Sequence, residues 1–91
     1  MKQVRIQIIN EVGLHLRPLH VFIQTANEFD ASLEVRNASS ETEWVNAKSI
    51  LEVLTLAVEQ NHFIELKAEG EDEAEAIEAL ESLIESDFQV E

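Results

Sequence analysis

Val4-Arg5-Ile6-Gln7-Ile8-Ile9-Asn10-Glu11-Val12-Gly13-Leu14-His15-Leu16-Arg17-Pro18 contains a change of period that decides how the chain begins to fold. Val4, Ile6 and Ile8 alternate with Arg5 and Gln7, which predicts a strand from Val4 to Ile9 with one face buried. Asn10 to Gly13 read as a polar turn. Pro18 fits the first turn of a helix, where a missing N–H costs nothing, and Leu19, Phe22, Ile23 and Ala26 follow at helical spacing. A first helix from about Leu16 to Asn27 is expected.

The rest of the chain continues this alternation of periods. Leu33 and Val35 alternate with Glu34 and Arg36, and the polar run Asn37 to Thr42 then leads to the apolar pair Trp44-Val45, which together read as a hairpin. Ile50, Val53, Leu54 and Ala57 fall at i, i+3, i+4 and i+7, so a second helix opens near Lys48-Ser49 with Ser49 or Asn46 as its cap. Ile64, Leu66 and Ala68 alternate with Glu65, Lys67 and Glu69 as a further strand. Beyond Gly70-Glu71-Asp72, the stripe Ile77, Leu80, Ile84 and Phe88 marks a last helix, whose early Glu71, Asp72, Glu73 and Glu75 suit the positive end of its macrodipole. The order β-α-β-β-α-β-α predicts an α+β fold, an antiparallel sheet covered on one face by helices. No linker or repeat divides the 91 residues, so one domain over 1–91 is expected.

Composition excludes several classes of function. Apolar residues make up 45% and charged residues 27% of the chain, a globular rather than a disordered balance. Six basic against 19 acidic residues give a net charge of -13, which repels phosphate backbones and anionic lipid surfaces, so no nucleic-acid partner is expected. No apolar stretch approaches a bilayer span, and Met1-Lys2-Gln3-Val4-Arg5 lacks a signal peptide's long apolar segment; a cytoplasmic protein without membrane insertion is expected. Cysteine is absent, and His15, His20 and His62 show none of the paired spacings of a metal site. With no Gly-rich nucleotide loop either, neither a metal nor another cofactor is expected. The charge is also uneven: Glu69 to Glu91 contains no Lys or Arg, whereas Arg17, Arg36 and Lys48 lie in mid-chain, where an anion site is expected.

His15 follows the glycine turn and stands just before the first helix, where free backbone N–H groups and the positive helix end converge, a setting that binds phosphate. The N–H groups of Leu16 and Arg17 contribute to this cradle. The Arg17 guanidinium can hold two phosphoryl oxygens at once, and Pro18 stiffens the turn. Nearby positive charge favours the neutral imidazole of His15, whose unprotonated nitrogen is able to attack phosphorus.

Gly13-Leu14-His15-Leu16-Arg17-Pro18, Gln24-Thr25-Ala26 and Val45-Asn46-Ala47-Lys48-Ser49-Ile50 together closely resemble HPr, the histidine phosphocarrier family of the bacterial sugar phosphotransferase system. The resemblance covers nearly the whole chain and implies an open-faced sandwich, four antiparallel strands under three helices. It implies that Nδ1 of His15 takes a phosphoryl group from the phosphohistidine of enzyme I and passes it to a sugar-specific enzyme II component, with Arg17 stabilising the transferred group. Such a chain is a phosphoryl carrier, not a turnover enzyme, and is expected to act as a monomer that each partner reaches in turn. Ser49 matches the serine that a dedicated kinase modifies in many HPr proteins, and a phosphate there would add about two negative charges near the docking surface. The same serine is a good helix cap.

Docking residues implied by the resemblance are Leu16, His20, Ile50, Leu51, Glu52 and Leu54, and several of them depart from the family pattern. Leu16 and Leu19 replace small residues, His20 a common threonine, and Glu52 a usual glycine; a carboxylate there would repel acidic partners. The hairpin Asn37 to Trp44 is longer. Glu59-Gln60-Asn61 lacks a customary glycine, although Asn61 can adopt the left-handed conformation, and His62 is expected as an exposed turn residue. The departures leave room for a carrier in another phosphorelay, nitrogen-related or built on a dihydroxyacetone kinase. They also leave room for a regulatory HPr-like binding module controlled through Ser49, against which His15 beside Arg17 argues.

Overall fold

Residues that alternate inward along the strands meet the apolar stripes of two long helices in one buried layer, and this layer fixes the architecture. The computed structural model describes residues 1–88, so the end of the acidic stretch Glu69 to Glu91, residues 89–91, lies outside the described residues. The elements are β1 (Lys2–Gln7), α1 (Leu16–Ala26), β2 (Ser32–Asn37), β3 (Val45–Asn46), α2 (Ile50–Leu54), β4 (Phe63–Glu69) and α3 (Glu73–Glu85). The strands form one antiparallel sheet in the order β1-β4-β2-β3, an α+β open-faced sandwich as expected. Val4, Leu66, Val35 and Val45 stand in register as a row across all four strands. Against the buried strand residues pack Leu19, Phe22 and Ala26 of α1 and Ile77, Leu80 and Ile84 of α3.

The opposite face of the sheet carries charge. Arg5 and Arg36 both stand in register with Glu65, and Glu34 with Lys67. Arg36 Nε donates to Glu65 Oε1 at 2.6 Å, and Lys67 lies 3.4 Å from Glu34. Trp44, just before β3, lies against both cations, 4.2 Å from Lys67 Nζ and 5.9 Å from the Arg36 guanidinium. Pairs of this kind contribute tenths of a kcal/mol each, so the face is held solvated and in register rather than buried.

Four local readings differ from expectation. The strand expected from Val4 to Ile9 is displaced towards the N-terminus: β1 ends at Gln7, Ile8 stays buried, and Ile9 is exposed. The second helix stops at Leu54 instead of reaching Ala57. The N–H groups of Thr55, Leu56 and Ala57 bond three residues back, and Ala57 has φ 49°, so the chain tightens and its faces rotate. Of the expected stripe Ile50, Val53, Leu54 and Ala57 only Val53 is therefore buried, and Leu56 and Val58 take the inner places. Phe88 is buried as expected but lies beyond α3. The N–H of Asp87 bonds to Ile84 and that of Phe88 to Leu83, with Asp87 at φ 59°, a Schellman closure that folds Phe88 back onto the core.

The fourth difference concerns two polar residues taken from the sequence as loop positions. Asn37 is 0% exposed and its side chain is fully used: Nδ2 donates to Leu56 O and to His62 Nδ1, each at 3.1 Å, and Oδ1 accepts from Ser40 N–H at 3.2 Å. His62 is half-buried, and its Nδ1 accepts in addition from the Glu59 N–H at 3.0 Å. Asn61, between them, has φ 74° as expected.

The acidic start of α3 is also structural in a more specific way than a dipole effect. Asp72 does not cap its own helix with its side chain; its carboxylate accepts from Asp30 N–H at 2.9 Å and Ala31 N–H at 2.8 Å, tying α3 to the α1–β2 turn. The hydrogen bond from the Asp30 N–H above all holds the Asp72 carboxyl below its ordinary range.

Candidate phosphoryl-acceptor site

The site starts from a glycine that any side chain would strain. Gly13 has φ 63°, and a Cβ built there would lie 2.2 Å from Val58 O and 2.8 Å from Glu59 Cα. This close approach lets Leu14 N–H bond to Val58 O at 3.0 Å, while Asn10 Nδ2 holds Gly13 O at 2.8 Å. Leu14 is buried and anchors the segment. His15 then occupies the N-cap position of α1 with extended φ of -130°, but its ring makes no capping bond. Leu16 makes the bend into the helix at φ 53°, a left-handed conformation that costs a side-chain-bearing residue about 1–2 kcal/mol.

This places the His15 ring beside the first turn of an 11-residue helix, whose leading N–H groups have no intrahelical acceptor. Arg17 is exposed, and among the described residues it forms no ion pair. The other mid-chain cations do not join it. Arg36 is on the open sheet face with Glu65, and Lys48 Nζ donates to Phe29 O at 2.6 Å. Of the three mid-chain cations among which an anion site was expected, only Arg17 therefore stands at the start of α1.

Sequence reasoning missed the nearest ionic partner of the histidine. Glu59, in the turn between α2 and β4, brings Oε2 to 2.6 Å from His15 Nε2, with side chains 33% exposed for His15 and 62% for Glu59. The positive charge expected near the ring is thus joined by a carboxylate that lies against it. No local pattern marks a residue 44 positions away. The only available signal was Gly13, since a glycine required at a turn often means that another backbone passes close by.

Ser49 is the N-cap of α2, its Oγ accepting from Glu52 N–H at 3.3 Å, while Asn46 holds the preceding turn through Lys48 N–H at 2.9 Å. Glu52 is exposed, yet its Oε1 accepts from Asn46 N–H at 3.1 Å, in the manner of a capping box reaching one turn further back. The remaining expected docking residues, Leu16, His20, Ile50, Leu51 and Leu54, are all exposed; among the four apolar ones, Leu16 at 78% and Leu51 at 74% are the most open. Among the described residues no cluster could hold a metal ion, and no helix is long and apolar enough to cross a membrane.

Comparison with known proteins shows the family. The family model described as "PTS HPr component phosphorylation site" matches residues 2–86. The chain belongs to the HPr family of the phosphotransferase system. The HPr of Neisseria meningitidis serogroup A, named phosphocarrier protein HPr, is 42% identical over 88 residues, covering 97% of this chain and 96% of that protein. The crystal structure of HPr-C-His from Thermoanaerobacter tengcongensis has a TM-score of 0.93 at 47% identity, over 100% of this chain and 99% of that one. The multiphosphoryl transfer protein of Vibrio cholerae is 38% identical over 74 residues, which are 81% of this chain and 18% of that longer protein. HPr membership makes the chain a phosphocarrier of the phosphotransferase system.

Proposed function

We propose that Nδ1 of His15 accepts a phosphoryl group from the phosphohistidine of enzyme I and donates it to a sugar-specific enzyme II component. The observation that carries this reading is the His15 ring at the N-cap of α1, half-exposed and free of any capping bond, two residues before Arg17, which forms no ion pair among the described residues. Nε2 is engaged by Glu59, whereas among the described residues nothing bonds to Nδ1. Phosphoryl transfer asks for positioning and charge stabilisation more than covalent chemistry, and the N–H groups of Leu16 and Arg17 with the Arg17 guanidinium supply both. The chain works as a single-domain monomer in the cytoplasm, and its partners dock in turn on the exposed apolar residues Leu16, Ile50, Leu51 and Leu54 of α1 and α2. A kinase acting on Ser49 would add charge at the edge of those residues and oppose the docking of acidic partners. The decisive experiment is incubation with enzyme I and phosphoenolpyruvate followed by intact-mass measurement. An acid-labile phosphoryl adduct in the native chain and none in His15→Ala is the expected result; an equal adduct in both would refute the assignment.

A further inference from the structure

Glu59 has a chemical position that its exposure alone does not explain. Its Oε2 lies 2.6 Å from His15 Nε2, on the side of the ring opposite the nitrogen proposed to carry phosphate. The turn that presents it is fastened on three sides: Gly13 packs against its backbone, Glu59 N–H donates to His62 Nδ1 at 3.0 Å, and Asn61 N–H donates to Ile8 O at 2.6 Å. A side chain carried on so constrained a backbone holds its place at lower entropic cost than a loop residue.

We propose that Glu59 is a positioning residue for phosphoryl carriage: it keeps the proton of neutral His15 on Nε2, leaves the Nδ1 lone pair free, and balances the positive charge the ring acquires on phosphorylation. This rests on the carrier reading given above. A carboxylate only accepts hydrogen bonds, so a contact of 2.6 Å to an imidazole nitrogen requires N–H at that nitrogen. The remaining nitrogen, Nδ1, is then the nucleophile.

The charge balance follows from the step itself. The Nδ1 lone pair forms the N–P bond while the bond from phosphorus to the donor breaks, its electron pair leaving with the donor. The ring, neutral before, becomes an Nδ1-phosphoryl imidazolium with its proton still on Nε2, facing Glu59. On donation the N–P electron pair returns to Nδ1 and the ring departs neutral. Without the Nε2 proton it would have to depart as an imidazolate anion, a far poorer leaving group. A carboxylate that orients an imidazole and stabilises its cation without taking its proton performs the same two tasks beside the histidine of hydrolytic triads. In those sites the carboxylate is buried, whereas Glu59 is largely exposed, so the charge effect here is limited to about fivefold.

Two variants separate the roles. Glu59→Gln keeps an acceptor oxygen but no charge, and Glu59→Ala removes both; the exposure of the side chain makes either compatible with folding. Long-range nitrogen–proton NMR of the unphosphorylated chain in mildly alkaline solution is expected to show the Nε2–H tautomer in the native chain and in Glu59→Gln, and a mixture in Glu59→Ala. The equilibrium of phosphoryl exchange with enzyme I is expected to shift about fivefold away from the phosphorylated chain in both variants. An unchanged tautomer in Glu59→Ala together with an unchanged exchange equilibrium would overturn the proposal while native uptake of phosphate upheld the carrier reading. If the native chain took up no phosphate, the carrier reading would fail and this role of Glu59 with it, and the tautomer measurement would report only on orientation.

Discussion

The buried amide of Asn37 meets the ring of His62 at 3.1 Å, and the same ring nitrogen accepts the N–H of Glu59 at 3.0 Å. A line of hydrogen bonds thus runs from the β2–β3 hairpin, through the interior, to the turn that faces His15. Truncation by Asn37→Ala would strand the buried Leu56 O, take one of two donors from the His62 ring, which keeps the Glu59 N–H, and free the more exposed Ser40 N–H to water. A loss of about 2–3 kcal/mol in urea-determined stability is expected. In a double-mutant cycle with His62→Leu, the pair should cost less than the sum of the two single variants.

Gly13→Ala is expected to cost about 2 kcal/mol in the same assay, because the new Cβ meets Val58 O at 2.2 Å and the backbone has φ 63°. The amide resonances of Val58 and Glu59 should move more than any others outside residues 10–16. An unperturbed Val58 and Glu59 would show that the close approach is not what the glycine serves.

Arg17→Ala should slow phosphoryl uptake by about a hundredfold while leaving the unfolding midpoint in place, since the guanidinium is exposed and unpaired among the described residues. Arg17→Lys should recover only part of the rate, because an ammonium cannot bind two phosphoryl oxygens in a planar fork. Stopped-flow measurement of transfer from phosphorylated enzyme I distinguishes the two.

Asp72 links stability to pH. Its carboxyl is held below its ordinary value of 3.8, chiefly by the Asp30 N–H, so its contribution is fully present above that value. It is lost as pH falls through the lowered folded-state value. Asp72→Asn should therefore melt below the native chain at neutral pH, and the difference should close as the solution is brought below pH 3.8. Melting curves across that range, read by circular dichroism, check the sign.

How much of this was legible in the sequence depended on how local each cause was. Alternation in β1, β2 and β4 and the stripes of α1 and α3 were readable because each is decided by one burial direction repeated along an element. The extent of α2 was not, because Thr55, Leu56 and Ala57 are apolar enough to continue a helix, and only the tightened turn shows where the faces rotate. At the site, His15, Arg17 and the capping Ser49 follow from neighbours in sequence. Asn37, His62 and Glu59 owe their roles to partners brought from elsewhere in the chain, and Asn37 in particular looks like any other polar hairpin residue until its burial is seen.

The contact between His15 and Glu59 spans 44 positions of chain and depends on the turn after α2 being pinned against the end of β1. Such contacts form late, after the entropy of closing the intervening loop has been overcome by strand pairing. A nascent or partly unfolded molecule would display the same histidine and arginine as a mere peptide motif, with the imidazole proton free to sit on either nitrogen. On the role proposed for Glu59, competence to hold phosphate in the proper way is a property of the finished tertiary structure, and the tautomer of one histidine would report whether the turn after α2 has docked on the end of β1.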